Sequence, residues 1–474
     1  MTLHLVVLVG YSLGMIALGV AFSRRVRGAA DFFVAGRQLG PGLVFSTMLA
    51  ANIGAGSTVG ATALGYSGGI AAWWWVGSAA IGSIVLALWI GPAMRRVAQA
   101  HNLQTVGDYL ELRYGPGVRG VVSLLLWVAT LFILAAQLVA IGYNLDAVAG
   151  VPPAIGCAIG GVVVMIYFTA GGLLTTARVN VVQLIVKLVG FVLALPIAIS
   201  AIGGWDAILS VQADNRSYWS FWQPGPPGLM YVALLTPPFI VSPGLLQKVF
   251  GARDDRAVRV GVGLNALGLF LFAAIPVLLG IIARATFPDL ESPGAALPMI
   301  LVHVLPPVIG AIGLAAVFSA EVSASDAALF MLTTSLSQDL YKRFVNPSVS
   351  DERLLLVARC TTVVAAAVSI ALAISLGDVV NALTIFYTLL GVSLFVPILA
   401  GLYVPRATKL EALASIACGV IVVLAAQVGT DGRGIGGMTP ALIGLMAAVA
   451  SFLVVYVARV AGGVGGGPSR STRL

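Results

Sequence analysis

Thirteen apolar stretches follow one another along this chain, near residues 3–22, 42–60, 69–92, 119–149, 154–171, 179–203, 225–246, 258–283, 308–336, 355–376, 379–403, 411–426 and 439–461. About 20 predominantly apolar residues are what a helix needs to cross the hydrocarbon of a bilayer. In lipid every backbone polar group must be satisfied within the protein, which leaves helices or closed barrels, and runs of this length select helices. Composition agrees, since 59% of the residues are hydrophobic and only 9% are charged, outside the range of water-soluble domains. The chain reads as an all-α integral membrane protein with about thirteen transmembrane helices.

Charge sets the expected orientation. The first run has no positive residue before it and Arg24, Arg25 and Arg27 after it, the reverse of a signal peptide. It is therefore expected to remain as a helix with its N-terminus outside. With that start, 22 of the 26 Lys and Arg fall in loops and tail on the inner side, the bias that cytoplasmic loops carry. Loops of at most about 25 residues leave no room for a separate soluble catalytic domain. Residues 1–461 are read as one transmembrane domain, with an extra helix at 3–22, a ten-helix core at 42–403 and two extra helices at 411–461. Residues 462–474 read as a flexible cytoplasmic tail. The bilayer of the cell (inner) membrane is the expected setting, and nothing in the charge pattern suggests nucleic acid. Cys157, Cys360 and Cys418 lie in apolar stretches and read as buried thiols. His4, His101 and His303 are scattered, without the spacing of metal ligands. No catalytic residue and no cofactor is expected.

Two spans look interrupted, at 50–57 (AANIGAGS) and at 236–243 (TPPFIVSP). Open backbone at membrane depth is tolerated only where it is buried or lines a site. Once the first helix is set aside, the breaks fall in the first and sixth spans of a ten-helix core, which is the pattern of a 5+5 inverted-repeat transporter with its substrate at the midplane. The run 317–343 adds two acids at bilayer depth, Glu321 and Asp326. Such groups sit against a partner, a cavity or an ion.

Several motifs in order then carry a resemblance to the sodium:solute symporter family: DFFVAGRQLG at 31–40, AANIGA from Ala50, TVGDYLELRYG at 105–115, GGL at 171–173 with Gln183 beyond it, and SQDLYKR at 337–343. The resemblance implies a broken-helix inverted-repeat fold and cation-coupled symport, sodium first, of a small organic solute by alternating access. It further implies a sodium site made of the carbonyls of Ala50, Ile53 and Ala320 and the hydroxyl of Ser323, with a second hydroxyl expected where Ala324 stands. An aspartate is common in the family where this chain has Asn180. Two ligating features are thus missing, and Ser325 is a candidate to replace the absent hydroxyl. The intramembrane Lys187 offers an alternative: its ammonium could fill the ion position, paired to Glu321 or Asp326, and make the carrier proton-coupled. A solute sensor that keeps the fold without coupled transport is a further alternative. Asn52, Ser57, Trp74 and Gln137 are the expected solute contacts. Sugar-carrying relatives resemble one another in having a glutamate where Trp74 stands, so its absence argues against a sugar.

Overall fold

The computed structural model describes residues 3–23, 37–168, 173–226 and 228–462. The expected tail therefore lies, from residue 463 onward, outside the described residues, as do most of the 31–40 motif and the glycine pair at 171–172. The described chain is helical, with no strand beyond two isolated β-bridges. Ten of its helices are long and apolar enough to cross a membrane, while Leu3–Met15 and Pro153–Ile166 are shorter apolar segments. The all-α reading stands, but helix length does not establish the count of thirteen.

Both interruptions are present, and each has a local cause. The helix Pro41–Asn52 ends where Ile53 leaves helical geometry (φ −86°, ψ 87°), and the chain resumes through a π turn at Gly56–Gly60 into Ala61–Gly68. Gly54 sits in this gap because nothing larger fits: a β-carbon there would lie 2.5 Å from Cβ of Ala324. The second break follows from proline chemistry. Ser242 adopts ψ 126° between Met230–Val241 and Pro243–Phe250, as the residue before a proline is driven out of the helical region.

The second half-helix changes one expectation. Lys248 is one of the 22 basic residues that the charge pattern assigns to inner loops and tail, but it belongs to the helix Pro243–Phe250 and is 5% exposed. The helical turns continue through Gln247 and Lys248 because the segment packs against Gly91–Ala100 and Pro307–Thr334.

Close packing at small residues sets the helices around the breaks. Leu173–Ala201, which carries Lys187, lies against Pro307–Thr334, which carries Glu321, Ser323 and Asp326. A β-carbon on Gly190 would fall 2.3 Å from that of Ala316. Small residues let backbones approach this closely without a hydrophobic force to drive them together in lipid. That approach brings Lys187 to the first break.

Candidate functional site

At the first break, the atoms assigned to a cation come together around a side chain. Lys187 is fully buried, and its Nζ donates to the carbonyls of Ala50 (2.5 Å) and Ile53 (3.1 Å) and to Oγ of Ser323 (2.5 Å). An ammonium has three donors and no acceptor, so these three oxygens satisfy it. Ser323 in turn donates to the carbonyl of Ala50 (2.8 Å) or Ala320 (3.1 Å). Ala50, Ile53, Ala320, Ser323 and Lys187 thus form one hydrogen-bonded unit that joins the broken helix to the two helices behind it.

The acids are placed differently from expectation. Neither Glu321 nor Asp326 makes an ion pair with Lys187 among the described residues. Oε1 of Glu321 accepts from Nδ2 of Asn144 at 2.7 Å. Both carboxylate oxygens of Asp326 are buried without a hydrogen bond. The direct pairing fails because the three oxygens at the break already take all the ammonium's donors. Asn180 donates to Oγ1 of Thr47 at 3.1 Å, with its own oxygen buried and unpartnered. Oγ of Ser325 is buried without a hydrogen bond among the described residues. Ala324 also lies apart from the lysine cluster: it turns toward Gly54 and lines the neighbouring cavity.

That cavity lies between the two breaks. Gly54, Gly56 and Ser57 line it from the first, Pro238, Ser242 and Gly244 from the second, and Trp75, Phe386 and Tyr387 give it aromatic walls. By void volume it measures about 70 Å³. Three of the four expected solute contacts, Asn52, Ser57 and Gln137, line it. Much of their hydrogen-bonding capacity holds the break itself. Oε1 of Gln137 accepts from the N–H of Ala55 at 2.8 Å, Oγ of Ser57 accepts from the N–H of Gly54 at 3.1 Å, and Nδ2 of Asn52 donates to Asn265 at 3.0 Å.

The fourth contact, Trp74, is elsewhere. Its Nε1 donates to the carbonyl of Phe221 at 2.8 Å, and its ring packs with Phe221 and Trp222. The cavity tryptophan is Trp75, whose Nε1 donates to the carbonyl of Gly56 at 2.9 Å. Successive helical residues point about 100° apart, so a one-residue difference exchanges the outer aromatic cluster for the cavity wall. Lys248, which sequence reasoning passed over, also lines the cavity. Its one signal was a lysine five residues after Pro243 in the apolar run GLLQKVF.

Two of the motif segments meet at one end of the bundle. Arg119 bonds to Asp339 (2.7 Å), Asp108 (2.9 Å) and Glu111 (2.9 Å), Thr105 donates to Asp339 (2.6 Å), and Arg343 pairs with Glu111 (2.7 Å). TVGDYLELRYG and SQDLYKR are therefore halves of one network. Partial burial works to raise the titration point of Glu111, but hydrogen bonds from Arg343 and Arg119 outweigh it and hold the carboxyl below its ordinary range.

The model of the sodium:solute symporter family matches residues 32–419. The chain belongs to this family. It is a multi-pass membrane transporter and not an enzyme. Among its curated relatives, the sodium/pantothenate symporter of Escherichia coli (strain K12) is 26% identical over 433 residues, 87% of this chain and 88% of that protein. The high-affinity proline transporter PutP of Bacillus subtilis (strain 168) is 24% identical over 86% of this chain and 89% of its own length. The solved structure of a Na+-coupled sialic acid symporter, substrate-bound and outward-open, aligns with a TM-score of 0.79 at 22% identity, over 95% of this chain and 97% of that one. At that identity the likeness speaks for the fold, and it agrees with the broken-helix inverted repeat.

Proposed function

We propose that this chain is a cation-coupled symporter of a small organic solute, working by alternating access, in which the coupling cation is a proton carried by Lys187. The carrying observation is that the Lys187 ammonium donates to Ala50, Ile53 and Ser323, three of the oxygens that the family resemblance assigns to sodium. While it does so, those oxygens have little left to offset the dehydration of a second cation. The fixed ammonium then takes the part of a bound ion. Protonated, it ties the broken helix to the Pro307–Thr334 helix by charge-assisted bonds, which are roughly twice as strong as neutral ones. Deprotonated, it loses a donor and its charge, and the tie loosens. Coupling requires only that the two access states hold the proton with different affinity.

Sodium coupling is the second reading, favoured by family membership and by the Na+-coupled neighbour. It requires the lysine to withdraw so that Ala50, Ile53, Ala320 and Ser323 face the ion. Either way residues 1–461 act as one transporter domain in the cell membrane, with the N-terminus outside and the C-terminus cytoplasmic, as the distribution of basic residues supports, 21 of the 26 remaining on the inner side once Lys248 is set aside.

Reconstituted vesicles with separately imposed gradients test the choice. The expected result is uptake driven by an inward proton gradient without sodium, with proton dependence lost in Lys187→Met. Uptake driven only by sodium, or proton dependence intact in Lys187→Met, would refute the lysine mechanism.

A further inference from the structure

Lys248 stands at the cavity wall as a cation without a partner. It is 5% exposed, and among the described residues it forms no ion pair within 4 Å. The elements packed against its helix carry acids, but none pairs with it: Glu321 accepts from Asn144, Asp108 and Glu111 are held by Arg119, and the Asp326 carboxylate makes no hydrogen bond. A charge removed from water is retained only where something compensates it. Lys248 lines the cavity, which is where a compensating charge can be received.

The rest of the wall has the same donor character. No residue lining the cavity is acidic. The side-chain amide of Asn52 is engaged with Asn265 and that of Gln137 with the carbonyl of Ile133. The hydroxyls of Ser242 and Tyr387, which line the same cavity, make no hydrogen bond within the described protein. An ammonium and two free hydroxyls beside aromatic and aliphatic walls form a receptor for a compact anion with a small apolar body. A cation would meet repulsion from Lys248, and a polyol would need more acceptors than the wall provides.

Resting on the transporter reading, we infer that Lys248 is the anion-binding residue of the solute site and that the solute is a small organic monocarboxylate. Its carboxylate pairs with the Lys248 ammonium, with Ser242 and Tyr387 as auxiliary donors, and its short carbon skeleton lies against Trp75 and Phe386. Size follows from the void of about 70 Å³, room for about five water-sized spheres at roughly 15 Å³ each. An acid of about two to six carbons fits that space.

Equilibrium binding without any gradient tests this apart from the coupling ion. The full-length protein in nanodiscs, with and without sodium, is titrated calorimetrically with acetate, lactate, isobutyrate and isovalerate, each beside its neutral amide, and with choline and glucose. At least one acid should bind ten or more times tighter than its amide, Lys248→Gln should remove that preference, and Lys248→Arg should keep it. The acid-to-amide ratio of the unmodified protein is itself a test, so a poorly folded variant does not rescue the idea. Equal binding of acid and amide, binding confined to choline or glucose, a preference that survives Lys248→Gln in folded protein, or binding of none of the acids would overturn the inference. Sodium-driven uptake would refute the role given to Lys187 and leave this result untouched.

Discussion

If the Lys187 ammonium occupies a cation position, deleting it should create a sodium site. Lys187→Ala removes the three donors at Ala50, Ile53 and Ser323. Ser323 can still donate to the carbonyl of Ala50 or Ala320, so the chief uncompensated acceptor is the carbonyl of Ile53. Leaving a buried acceptor unsatisfied costs about 1–3 kcal/mol, and the emptied volume adds to that. The variant in sodium-free choline buffer should therefore unfold at a lower temperature than the parent. Sodium should reverse the loss: four oxygens from Ala50, Ile53, Ala320 and Ser323 then face a space no longer filled by a cation. A ligand that binds only the folded state stabilises it by RT ln(1 + [L]/Kd), which is about 1.4 kcal/mol at ten times Kd and about as much again for each further decade. The assay is thermal unfolding in detergent across a sodium series at constant ionic strength. A rising midpoint is expected for Lys187→Ala and a flat line for the parent and for Lys187→Met, whose side chain still fills the space. Equal sodium dependence in the parent would refute the placement of the ammonium in a cation site, and no response in Lys187→Ala would refute the oxygens' competence to hold one.

Other perturbations probe the frame around the site. Gln137→Ala strips the acceptor from the N–H of Ala55; it should cost about 1–3 kcal/mol and slow uptake, read from thermal midpoint and initial rate. Arg119→Met leaves Asp339, 5% exposed, without its cation. Breaking a buried pair costs about 3–5 kcal/mol, so a sharp drop in folded yield is expected, with partial recovery in Arg119→Met/Asp339→Asn. Trp74→Phe should leave solute affinity nearly unchanged while Trp75→Phe weakens it, because only Trp75 lines the cavity and holds Gly56. The depressed titration of Glu111 means that its contribution is complete above the ordinary glutamate range and is lost as pH falls through its lower folded value. Acid unfolding midpoints should accordingly become less pH-sensitive in Glu111→Gln.

The fold was legible because its signals are long and redundant. Apolar runs, a one-sided charge distribution and two Gly- and Pro-marked interruptions each give the same answer, and the breaks occur at Ile53 and Ser242 with their expected causes. The meeting of Ala50, Ile53, Ser323 and Lys187 at the first break was legible for the same reason. Side-chain partners were not. Whether Lys187 reaches an acid or a carbonyl depends on geometry finer than one helical turn, and hydropathy carries no such information. Trp74 and Trp75 differ by a single 100° step, which an unaligned sequence cannot phase. Lys248 was hidden by counting: a lysine near a span end contributes to the charge bias of a loop, whereas here the half-helix after the break carries it inward to the cavity wall.

Lys187 at the first break and Lys248 at the cavity wall are both buried, and mutual repulsion of their charges would give the proposed coupling a physical form. Charging Lys187 opposes the charge on Lys248, and an anion at Lys248 relieves that opposition. At an effective dielectric near 20 two unit charges interact by about 4 kcal/mol at about 4 Å, and the energy falls inversely with distance; about 1.4 kcal/mol is the scale of a tenfold change in affinity. By linkage the effect is reciprocal: the anion strengthens proton binding and the proton strengthens anion binding by the same factor. If one proton accompanies each monocarboxylate as proposed, the two travel as a neutral pair, so the membrane potential contributes nothing and a one-unit pH gradient alone sustains about tenfold accumulation, by the equivalence of about 1.4 kcal/mol to one decade. Clamping vesicles at different potassium diffusion potentials should leave steady-state accumulation unchanged at fixed pH gradient. Accumulation that grows with inside-negative potential would mean that net positive charge moves with the solute, and the electrostatic account of coupling would fail.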